Sequence, residues 1–365
     1  MKILYLISSL NSGGAETQLI RIISNLVKDE RIQMEVVSLV PIKTERNTKI
    51  LDNLGVKYYD LGLEKGSFNI KKICLLIKLV NGFKPDVIHA HMVHANFLSR
   101  FMKLFNRRIK IINTIHGEEE FIGIRSKIYS MTDRFMDITT CCGKSLHDYA
   151  YKNSIISKNK LKLVYNGLDL SLYSIHKEKR LKIRAELNIE ENQFVWLTIG
   201  RLAKVKNQSL LINSFSKLVQ NHNNSILLIA GQGELESELI SLTEKLKIKD
   251  KVRFLGFRDD VNTLLNGADA FVMSSNNEGL PLVLQEAVSV GLPLVVTDVG
   301  GCKELISNNG YLVQKGDQEE MTNCMSKLMD LNSFAYQNMR TESSKISELY
   351  NMERICSQWL NLYGL

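Results

Sequence analysis

Short apolar runs alternate with segments of helical periodicity along the whole chain. The runs are continuously apolar rather than alternating with polar residues, which is typical of parallel strands covered on both faces. In the first half they are KILYLIS, MEVVSLV, VKYYDL, DVIHAH, IKIINTIH, DITTCC and KLVYNG, with helices expected at 15–28, 70–81, 96–105 and 126–134. In the second half they are FVWLTIG, SILLIAG, VRFLGF, AFVMSS and PLVVTD, with helices expected at 208–221, 234–246, 261–268 and 281–290. Two successive βαβ series of this kind predict an α/β protein of two Rossmann-like domains.

The boundary between the two series lies near YNGLDLSLYSIHKEKR. Asn166-Gly167 is typical of a turn, and the charged stretch after it is interpreted as a linker that becomes helical by Leu181. We therefore expect an N-terminal domain of residues 1–168 and a C-terminal domain of residues 171–350. The final segment, SELYNMERICSQWLNLYGL, has an amphipathic helical pattern with no strand after it. A length of 365 residues agrees with two domains.

The positive charge of the chain is confined to its first half. Residues 1–170 hold 26 Lys and Arg against 16 Asp and Glu, a net charge of +10, whereas the remainder holds 21 against 23, a net charge of −2. This asymmetry indicates an anionic partner for the first domain, such as a membrane surface or an acidic ligand. Nucleic acid is not expected, because the sequence has no recognition motif with interleaved aromatic residues.

The sequence favours a cytoplasmic protein without a metal centre. No apolar run reaches membrane-spanning length, and the start MKILYLISSLNSGGAE lacks a clear small-residue cleavage site, so it is interpreted as a buried first strand. The six cysteines show neither a C-x-x-C pair nor metal-ligand spacing and are interpreted as free thiols, mostly in the core. They are Cys74, Cys141, Cys142, Cys302, Cys324 and Cys356.

Glycine-containing motifs follow several of the predicted strands, where ligands of open α/β sheets bind. In NSGGAET, Gly13-Gly14 lets the backbone approach a ligand, and the helix start behind it favours phosphate. The motif is not G-x-G-x-x-G, so it is not a dinucleotide fingerprint, and a plain turn is an equal alternative. Gly231 and Gly233 of AGQGELE, and Phe257 of FLGFRDD, are candidate contacts to a nucleoside, with a tight turn as the alternative.

Two cations follow the first strand of the second series, in IGRLAKVKNQ. Arg201 offers a planar fork of donors and Lys206 a mobile point charge, a pair suited to a diphosphate. The alternative is that both are ordinary solvated surface cations. Their position directly after a strand favours the functional interpretation.

Two carboxylates stand eight positions apart in SSNNEGLPLVLQEA. Glu278 lies in the loop after a strand, and Pro281 suits the first position of a helix whose positive N-terminal end favours anions. Glu286 follows about one and a half turns later. A carboxylate can accept two hydrogen bonds from a vicinal diol, so Glu286 is a candidate for a ribose and Glu278 for a sugar. The alternative is a dipole partner in the first turn and a surface glutamate.

Two further segments were weighed for function. His89, His91 and His94 invite a metal site, but zinc would need further support, so we favour a strand tip that lines the acceptor side of a cleft. In NFLSRFMKLFNRR the apolar residues are interpreted as a core-facing stripe and the basic residues as a solvated back that docks on an anionic membrane. The stripe consists of Phe97, Leu98, Phe101, Met102, Leu104 and Phe105, and the basic residues are Arg100, Lys103, Arg107 and Arg108.

The segment EGLPLVLQEA resembles the E-x7-E motif of retaining family 4 glycosyltransferases. These enzymes have the GT-B fold, in which two Rossmann-like domains with parallel sheets face a central cleft. The resemblance extends to GGAE, NGLD, IGRLAKVKN, AGQGELE, FLGF, SSNNEGLP and GLPLVVTDVGGCKELI, and so spans nearly the whole chain in the expected order.

The resemblance implies transfer of a sugar from a nucleotide-diphosphate sugar, with no metal or other cofactor. Gly14 would approach the diphosphate, which Arg201 and Lys206 would bind while they stabilise the leaving group. Glu278 and the amides of Gly279 and Leu280 would contact the donor sugar, and Glu286 would hold the ribose. His116 of NTIHG matches a histidine near the sugar on the first domain. The donor would lie on the C-terminal domain and the acceptor on the N-terminal one, onto which residues 352–365 would pack back.

The resemblance also implies a substrate class. We expect a UDP-hexose or UDP-N-acetylhexosamine donor and a glycan acceptor linked to a polyprenyl diphosphate, at the inner face of the membrane in O-antigen or capsule assembly. The acidic run Glu118–Glu120 departs from relatives that carry small or amide residues there, which puts acceptor contacts in doubt. A nucleotide-sugar epimerase of the same fold and a non-catalytic scaffold subunit are the alternatives.

Overall fold

The computed structural model describes residues 1–11, 13–64 and 69–365 of the chain, and these form two compact units. The first unit consists of Met1–Leu168 together with Met352–Leu365, and the second of Asp169–Asn351. Each unit is built around one parallel sheet, so the predicted α/β class with two Rossmann-like domains is confirmed.

The first unit has seven parallel strands in the order β3-β2-β1-β4-β5-β6-β7. The strands are β1 (Lys2–Ile7), β2 (Gln33–Ser38), β3 (Lys57–Asp60), β4 (Val87–His91), β5 (Lys110–Ile115), β6 (Ile138–Cys141) and β7 (Leu161–Leu163). The helices are α1 (Gly14–Leu26), α2 (Arg46–Asn53), α3 (Ile70–Phe83), α4 (Val93–Met102), α5 (Ile124–Met131) and α6 (Lys144–Lys152), with 3-10 helices at Glu118–Phe121 and Asp133–Phe135.

The second unit has six parallel strands in the order β10-β9-β8-β11-β12-β13. The strands are β8 (Phe194–Ile199), β9 (Ser225–Ala230), β10 (Val252–Phe254), β11 (Ala270–Met273), β12 (Leu294–Thr297) and β13 (Gly310–Val313). The helices are α7 (Lys177–Glu186), α8 (Gln208–Asn221), α9 (Glu236–Lys245), α10 (Val261–Gly267), α11 (Leu282–Ser289), α12 (Gln318–Met329) and α13 (Ser333–Ser347), with 3-10 helices at Lys249–Lys251, Cys302–Leu305 and Glu348–Tyr350.

Strand β1 shows why the sequence pattern predicts buried parallel strands. Ile3, Tyr5 and Ile7 enter the core cluster on one face of the sheet, whereas Leu4 and Leu6 enter the cluster on the other. Successive side chains of a strand point to opposite faces, so a strand covered on both faces needs an apolar residue at every position. The continuous run from Ile3 to Ile7 meets that requirement, and Lys2, at the start of the strand, is only half-buried.

The last helix, α14 (Met352–Tyr363), packs on the first unit. The amide of Met352 donates to the carbonyl of Leu168 at 2.9 Å. Ile355, Trp359 and Tyr363, spaced by four residues, are buried in the same core cluster as β1 and α1. Their spacing places them on one face of a helix, which is the amphipathic pattern read in the sequence.

One interpretation of the sequence is wrong in part. Helix α4 ends at Met102 rather than near 105, so the predicted stripe does not continue into the core; Phe101, Leu104 and Phe105 are exposed. Arg100, assigned to a solvated basic back, is only 1 % exposed. Its guanidinium donates to Asn113 Oδ1 at 2.9 Å, to the Tyr129 carbonyl at 2.8 Å and to Thr132 Oγ1 at 2.6 Å. Buried charge is tolerated where such acceptors surround it.

Candidate active site

Each sheet reverses its strand order once along the chain, between β1 and β4 in the first unit and between β8 and β11 in the second. Ligands of open α/β sheets bind outside the carboxyl ends of the strands at such a point. Gly14 follows β1, Arg201 follows β8 and Glu278 follows β11. The structure therefore places most of the predicted residues at the carboxyl ends of the strands, in one sheet or the other.

Lys206 and Glu278 form an ion pair in the second unit. The ammonium nitrogen of Lys206 lies 2.6 Å from Glu278 Oε1, with side-chain exposures of 25 % and 10 %. The two loops that carry them are tied together, because the amide of Asn276 donates to the carbonyl of Val205 at 2.7 Å and Ser274 Oγ donates to that of Lys206 at 3.1 Å. Two residues far apart in sequence thus present opposite charges at one point beside the sheet edge.

A pair of glycines fixes the loop that carries Glu278. Gly300 has a φ of +50°, and a Cβ there would stand 1.8 Å from the carbonyl oxygen of Glu278. The amide of Gly301 donates to the carbonyl of Gly279 at 2.7 Å. Only glycine fits at position 300, because both its backbone conformation and the adjacent carbonyl exclude a side chain. In the sequence these glycines lie within GLPLVVTDVGGCKELI, and nothing in that segment indicates their contact with the loop of Glu278.

The second carboxylate of the pair is not a surface residue. Glu286 lies within α11 and is 7 % exposed. Its Oε1 accepts a hydrogen bond from the hydroxyl of Tyr173 at 2.9 Å, a partner that sequence reasoning missed. Helix α11 begins at Leu282, with Pro281 as the extended residue before it, so the prediction of Pro281 as the first helical residue is wrong by one position. Leu280 is buried beside this helix start.

The other residues predicted on the second unit differ in their surroundings. Arg201 is exposed, and Phe257 is 57 % exposed after β10. A Cβ at Gly231 would stand 2.0 Å from the carbonyl oxygen of Gly200, and one at Gly233 2.2 Å from that of Leu202. Both glycines are therefore required by the close approach of the neighbouring loop, whether or not a ligand also lies there.

The N-terminus of α1, where the sequence predicts a phosphate, carries a glutamate of the chain itself, Glu16. Gly14 begins α1 and is exposed, and Ser12 of the same motif lies outside the described residues. Glu16 in the first turn is only 6 % exposed, and burial raises the pKa of its carboxyl group. A Cβ at Gly13 would stand 2.3 Å from Glu16 Oε2. The positive end of this helix is thus already partnered by an acid of the chain itself.

His116 joins a buried cluster of imidazoles. It follows β5, and its Nε2 lies 3.1 Å from Nδ1 of His91. The rings of His91 and His89 have centroids 4.2 Å apart, and His89 contacts Tyr363 OH at 2.8 Å. Burial lowers the pKa of His116 from 6.5 to about 4 and that of His89 to about 3, so both rings are neutral at pH 7.

The two strand histidines lie inside the first unit. His91 is the last residue of β4 and so stands at the strand tip, as expected. His89 and His91 are 0 % exposed, so the expectation that they line a cleft is wrong for these two, whereas His94 is exposed. Helix α14 covers His89, whose ring centroid is 4.5 Å from that of Trp359. In the part of the chain that the structure describes, no group of three or more His, Cys, Asp or Glu side chains is arranged to hold a metal ion.

An apolar and basic surface lies where α4 and α5 end. The Arg100 guanidinium on α4 donates to the Tyr129 carbonyl and to Thr132 Oγ1, so hydrogen bonds tie α4 to the end of α5. We call this surface the α4–α5 patch; it consists of Phe101, Leu104, Phe105, Arg107, Arg108, Met131 and Arg134, all exposed. Among residues 1–11, 13–64 and 69–365, no helix is long and apolar enough to span a bilayer.

Two family models match the chain, one after the other. The model described as "Glycosyltransferase Family 4" matches residues 12–172, and the model described as "Glycosyl transferases group 1" matches residues 179–346. The two matches meet near the boundary between the two compact units.

Several curated proteins are similar over most of the chain. The UDP-Gal:α-D-GlcNAc-diphosphoundecaprenol α-1,3-galactosyltransferase of Escherichia coli is 26 % identical over 72 % of this chain and 71 % of that protein. The N-acetyl-α-D-glucosaminyl L-malate synthase of Bacillus anthracis is 28 % identical over 76 % and 74 %. The O-antigen biosynthesis glycosyltransferase WbnH of Escherichia coli is 26 % identical over 98 % of both chains. The names of the first two state different acceptors, so similarity at this level does not select one.

A solved structure shares the fold over the whole chain. Anabaena Alr3699/HepE in complex with UDP aligns with a TM-score of 0.86 at 22 % identity, covering 99 % of each chain. At that identity the likeness shows the fold.

Proposed function

The chain belongs to glycosyltransferase family 4 and has the GT-B fold, and we propose that it is a retaining enzyme that transfers a hexose or N-acetylhexosamine from a UDP-sugar to a glycan linked to a polyprenyl diphosphate. The observation that carries the proposal is the contact between Lys206 and Glu278, on the loops that follow β8 and β11 of the second sheet. The proposed setting is the assembly of a surface polysaccharide at the inner face of the membrane.

In this proposal the second unit binds the donor. Lys206 and Arg201 hold the diphosphate and neutralise the charge that grows on it as the bond to the sugar breaks. Lys206 exchanges its contact with Glu278 for the diphosphate, and Glu278 is then free to accept hydrogen bonds from sugar hydroxyl groups. Glu286, whose Oε1 accepts a hydrogen bond from Tyr173, is assigned to the ribose diol.

The remaining donor contacts are assigned to small or exposed groups around these charges. The amides of Gly279 and Leu280 are assigned to the sugar, and Gly14 is assigned to the diphosphate. Gly231, Gly233 and Phe257 are assigned to the nucleoside, and His116 is assigned to the sugar. Retention is attributed to attack on the face that the diphosphate leaves, with no covalent intermediate, and Glu278 is not assigned as a nucleophile.

The acceptor is assigned to the first unit, which holds the excess of positive charge. Its α4–α5 patch combines apolar side chains with Arg107, Arg108 and Arg134, a composition suited to an anionic membrane surface. A cation near such a surface contributes about 1 kcal/mol. A lipid-linked acceptor would then meet the enzyme at the membrane, so the protein is proposed to be cytoplasmic and peripherally bound.

The test is transfer from a panel of UDP- and GDP-sugars to polyprenyl-diphosphate-linked N-acetylglucosamine and, separately, to L-malate, followed by mass spectrometry. We expect one added sugar on the lipid-linked acceptor, abolished by Glu278→Ala and retained by the matched control Glu319→Ala, whose carboxylate is exposed on α12. Transfer to L-malate alone would overturn the lipid acceptor. An altered free nucleotide sugar without transfer would instead favour the epimerase.

Membrane binding has its own test, which needs no substrate. We expect sedimentation with vesicles containing phosphatidylglycerol but not with pure phosphatidylcholine vesicles. Phe105→Ser should weaken it at least about tenfold, since burial of a Phe side chain contributes roughly 1.5–3 kcal/mol and about 1.4 kcal/mol is tenfold. The control is Phe334→Ser, which removes a similarly exposed ring from the second unit. Equal loss in both variants would contradict docking through the α4–α5 patch.

A further inference from the structure

One of the three consecutive glutamates after β5 is buried. Glu120 is 4 % exposed, whereas its neighbour Glu119 is exposed to solvent. Glu120 Oε1 accepts a hydrogen bond from the backbone amide of His116 at 2.8 Å. Its Oε2 accepts from the hydroxyl of Tyr129 at 3.1 Å and from Asn96 Nδ2 at 3.3 Å. A run of three identical residues gives no indication of which one the fold buries.

The three donors come from three different elements. His116 stands directly after β5, Asn96 lies on α4 and Tyr129 on α5. Asn96 Nδ2 also donates to the carbonyl of Thr114 at 3.0 Å, and the Arg100 guanidinium lies 4.5 Å from the centre of the Tyr129 ring. One carboxyl group therefore joins the turn that carries His116 to the two helices beside it.

The contact acts on the backbone of His116 at the point where the strand ends. The amide of His116 comes after the last residue of β5, and the amide of Glu120 closes the next turn on the carbonyl of Gly117 at 3.1 Å. With the backbone held in this way, the imidazole is oriented by its contact with His91. Loss of the carboxyl group would free the turn while leaving β5 and both helices in place.

We propose that Glu120 is a positioning residue for His116, holding the turn after β5 so that the imidazole keeps one orientation toward the donor sugar. The inference rests on the role proposed above for His116. The side chain of Glu120 would not contact the substrate and would act only through the backbone of His116.

The ionisation of this carboxyl group links the turn to pH. Burial raises the pKa of Glu120 from 4.5 to about 8, although the hydrogen bonds from His116, Tyr129 and Asn96 oppose the shift. The buried turn therefore favours the protonated carboxyl group, because opening the turn would return the carboxylate to water and to its ordinary pKa. The turn is held most firmly at low pH and loosens as pH rises toward about 8.

The other titratable groups around Glu120 do not change charge in this range. Burial raises the pKa of Tyr129 and of Cys141, and it lowers that of His116 to about 4. Arg100, beyond the Tyr129 ring, has a pKa lowered to about 10 and stays charged. The remaining acid that acts on Glu120 is Glu119 of the same 3-10 helix. A single step near pH 8 is thus assigned to Glu120.

The experiment compares Glu120→Ala and Glu120→Gln with the control Glu119→Gln, each verified to be folded by circular dichroism. Glu120→Ala should lower kcat roughly 10- to 100-fold, the effect of a small misplacement of a reacting group, with the donor KM almost unchanged. Glu120→Gln keeps an acceptor for the His116 amide, so most of kcat should remain at pH 7. In the wild type kcat/KM should fall as pH rises toward about 8, and this step should be absent in Glu120→Gln, whose neutral amide cannot ionise.

A second readout does not depend on activity. In the wild type the backbone amide resonance of His116 should titrate with a midpoint near pH 8, and in Glu120→Gln it should not. A resonance that titrates equally in both proteins, or a kcat of Glu120→Ala equal to that of the wild type, would overturn the inference. Absence of transfer by the wild type would instead defeat the proposed function, and the resonance would still decide the role of Glu120.

Discussion

The two units share one strand order but hold their candidate residues by opposite means. In the second unit the central contact is between full charges, Lys206 and Glu278, on two loops that keep part of their surface in water. In the first unit the contacts join neutral imidazoles and a buried carboxyl group, His116, His91 and Glu120. The burial that keeps the imidazoles uncharged also raises the pKa of Glu120 to about 8.

This difference indicates a division of labour between the units. A partly solvated ion pair can exchange partners at small cost, because each charge is stabilised by water or by an arriving ligand of opposite sign. A buried hydrogen-bonded network cannot, because each polar group without its partner costs about 1–3 kcal/mol. The ion pair of the second unit is therefore suited to binding and releasing a charged ligand, as we propose for the donor. The buried network of the first unit is suited to holding His116 in one position.

The largest expected effect comes from removing the cation of the ion pair. Lys206→Ala should lower kcat/KM about 10²- to 10³-fold, because it deletes the charge that we propose neutralises the leaving diphosphate. Lys204→Ala, an exposed lysine in the same loop, is the matched control. Steady-state transfer kinetics with isothermal titration of UDP measure both. Unchanged UDP affinity in Lys206→Ala would contradict the assignment of this lysine to the diphosphate.

A large effect is also expected at the glycine that fixes Glu278. Gly300→Ala places a Cβ against the carbonyl of Glu278, so it should destabilise the protein by more than about 3 kcal/mol and abolish transfer. Gly316→Ala separates the two causes, because Gly316 has a φ of +81° but open space around it and should lose only about 1–2 kcal/mol. Urea denaturation gives both values. Equal losses would show that backbone strain alone, without the clash, governs position 300.

The buried carboxyl group of Glu120 in the first unit should make the stability of the protein depend on pH. A carboxyl group whose pKa is raised on folding stabilises the protein below its ordinary pKa of 4.5, and that stabilisation is lost as pH rises through about 8. The free energy of unfolding of the wild type should therefore fall relative to Glu120→Gln by up to about 1.4 kcal/mol per pH unit between these values. Denaturant titrations from pH 4 to 9 test this, with Glu119→Gln as the control. Parallel curves for wild type and Glu120→Gln would contradict a buried, uncharged Glu120 at pH 7.

The smallest effect is expected at the hydrogen bond from the neutral Tyr173 hydroxyl to Glu286 in the second unit. Tyr173→Phe removes the hydroxyl that donates to Glu286, so the KM for the donor should rise by a few-fold, equivalent to about 0.5–1.5 kcal/mol, with kcat unchanged. Tyr336→Phe also removes a hydroxyl donor, bonded to the carbonyl of Asp269, and should leave the KM unchanged. A lower kcat in Tyr173→Phe would place this residue in the chemical step instead.

Local pattern alone determined much of the fold. The continuous apolar runs located every strand but β13, and the predicted helix at 208–221 has the same bounds as α8. The pattern failed where an element is short or mostly polar: α2 has only three buried residues among eight, and β13 begins with a glycine. Neither presents enough apolar residues for a period to be recognised.

Only the tertiary structure decided which side chains meet. The motifs showed that Lys206 and Glu278 each follow a strand, but their contact exists because β8 and β11 are neighbours in the sheet. The burial of Glu120 between α4 and α5, the inward turn of Arg100 and the bond from Tyr173 to Glu286 arise in the same way. Hydrophobic periodicity records how a segment faces its own surroundings, whereas the partner of a polar group depends on which distant segments the strand order brings alongside it.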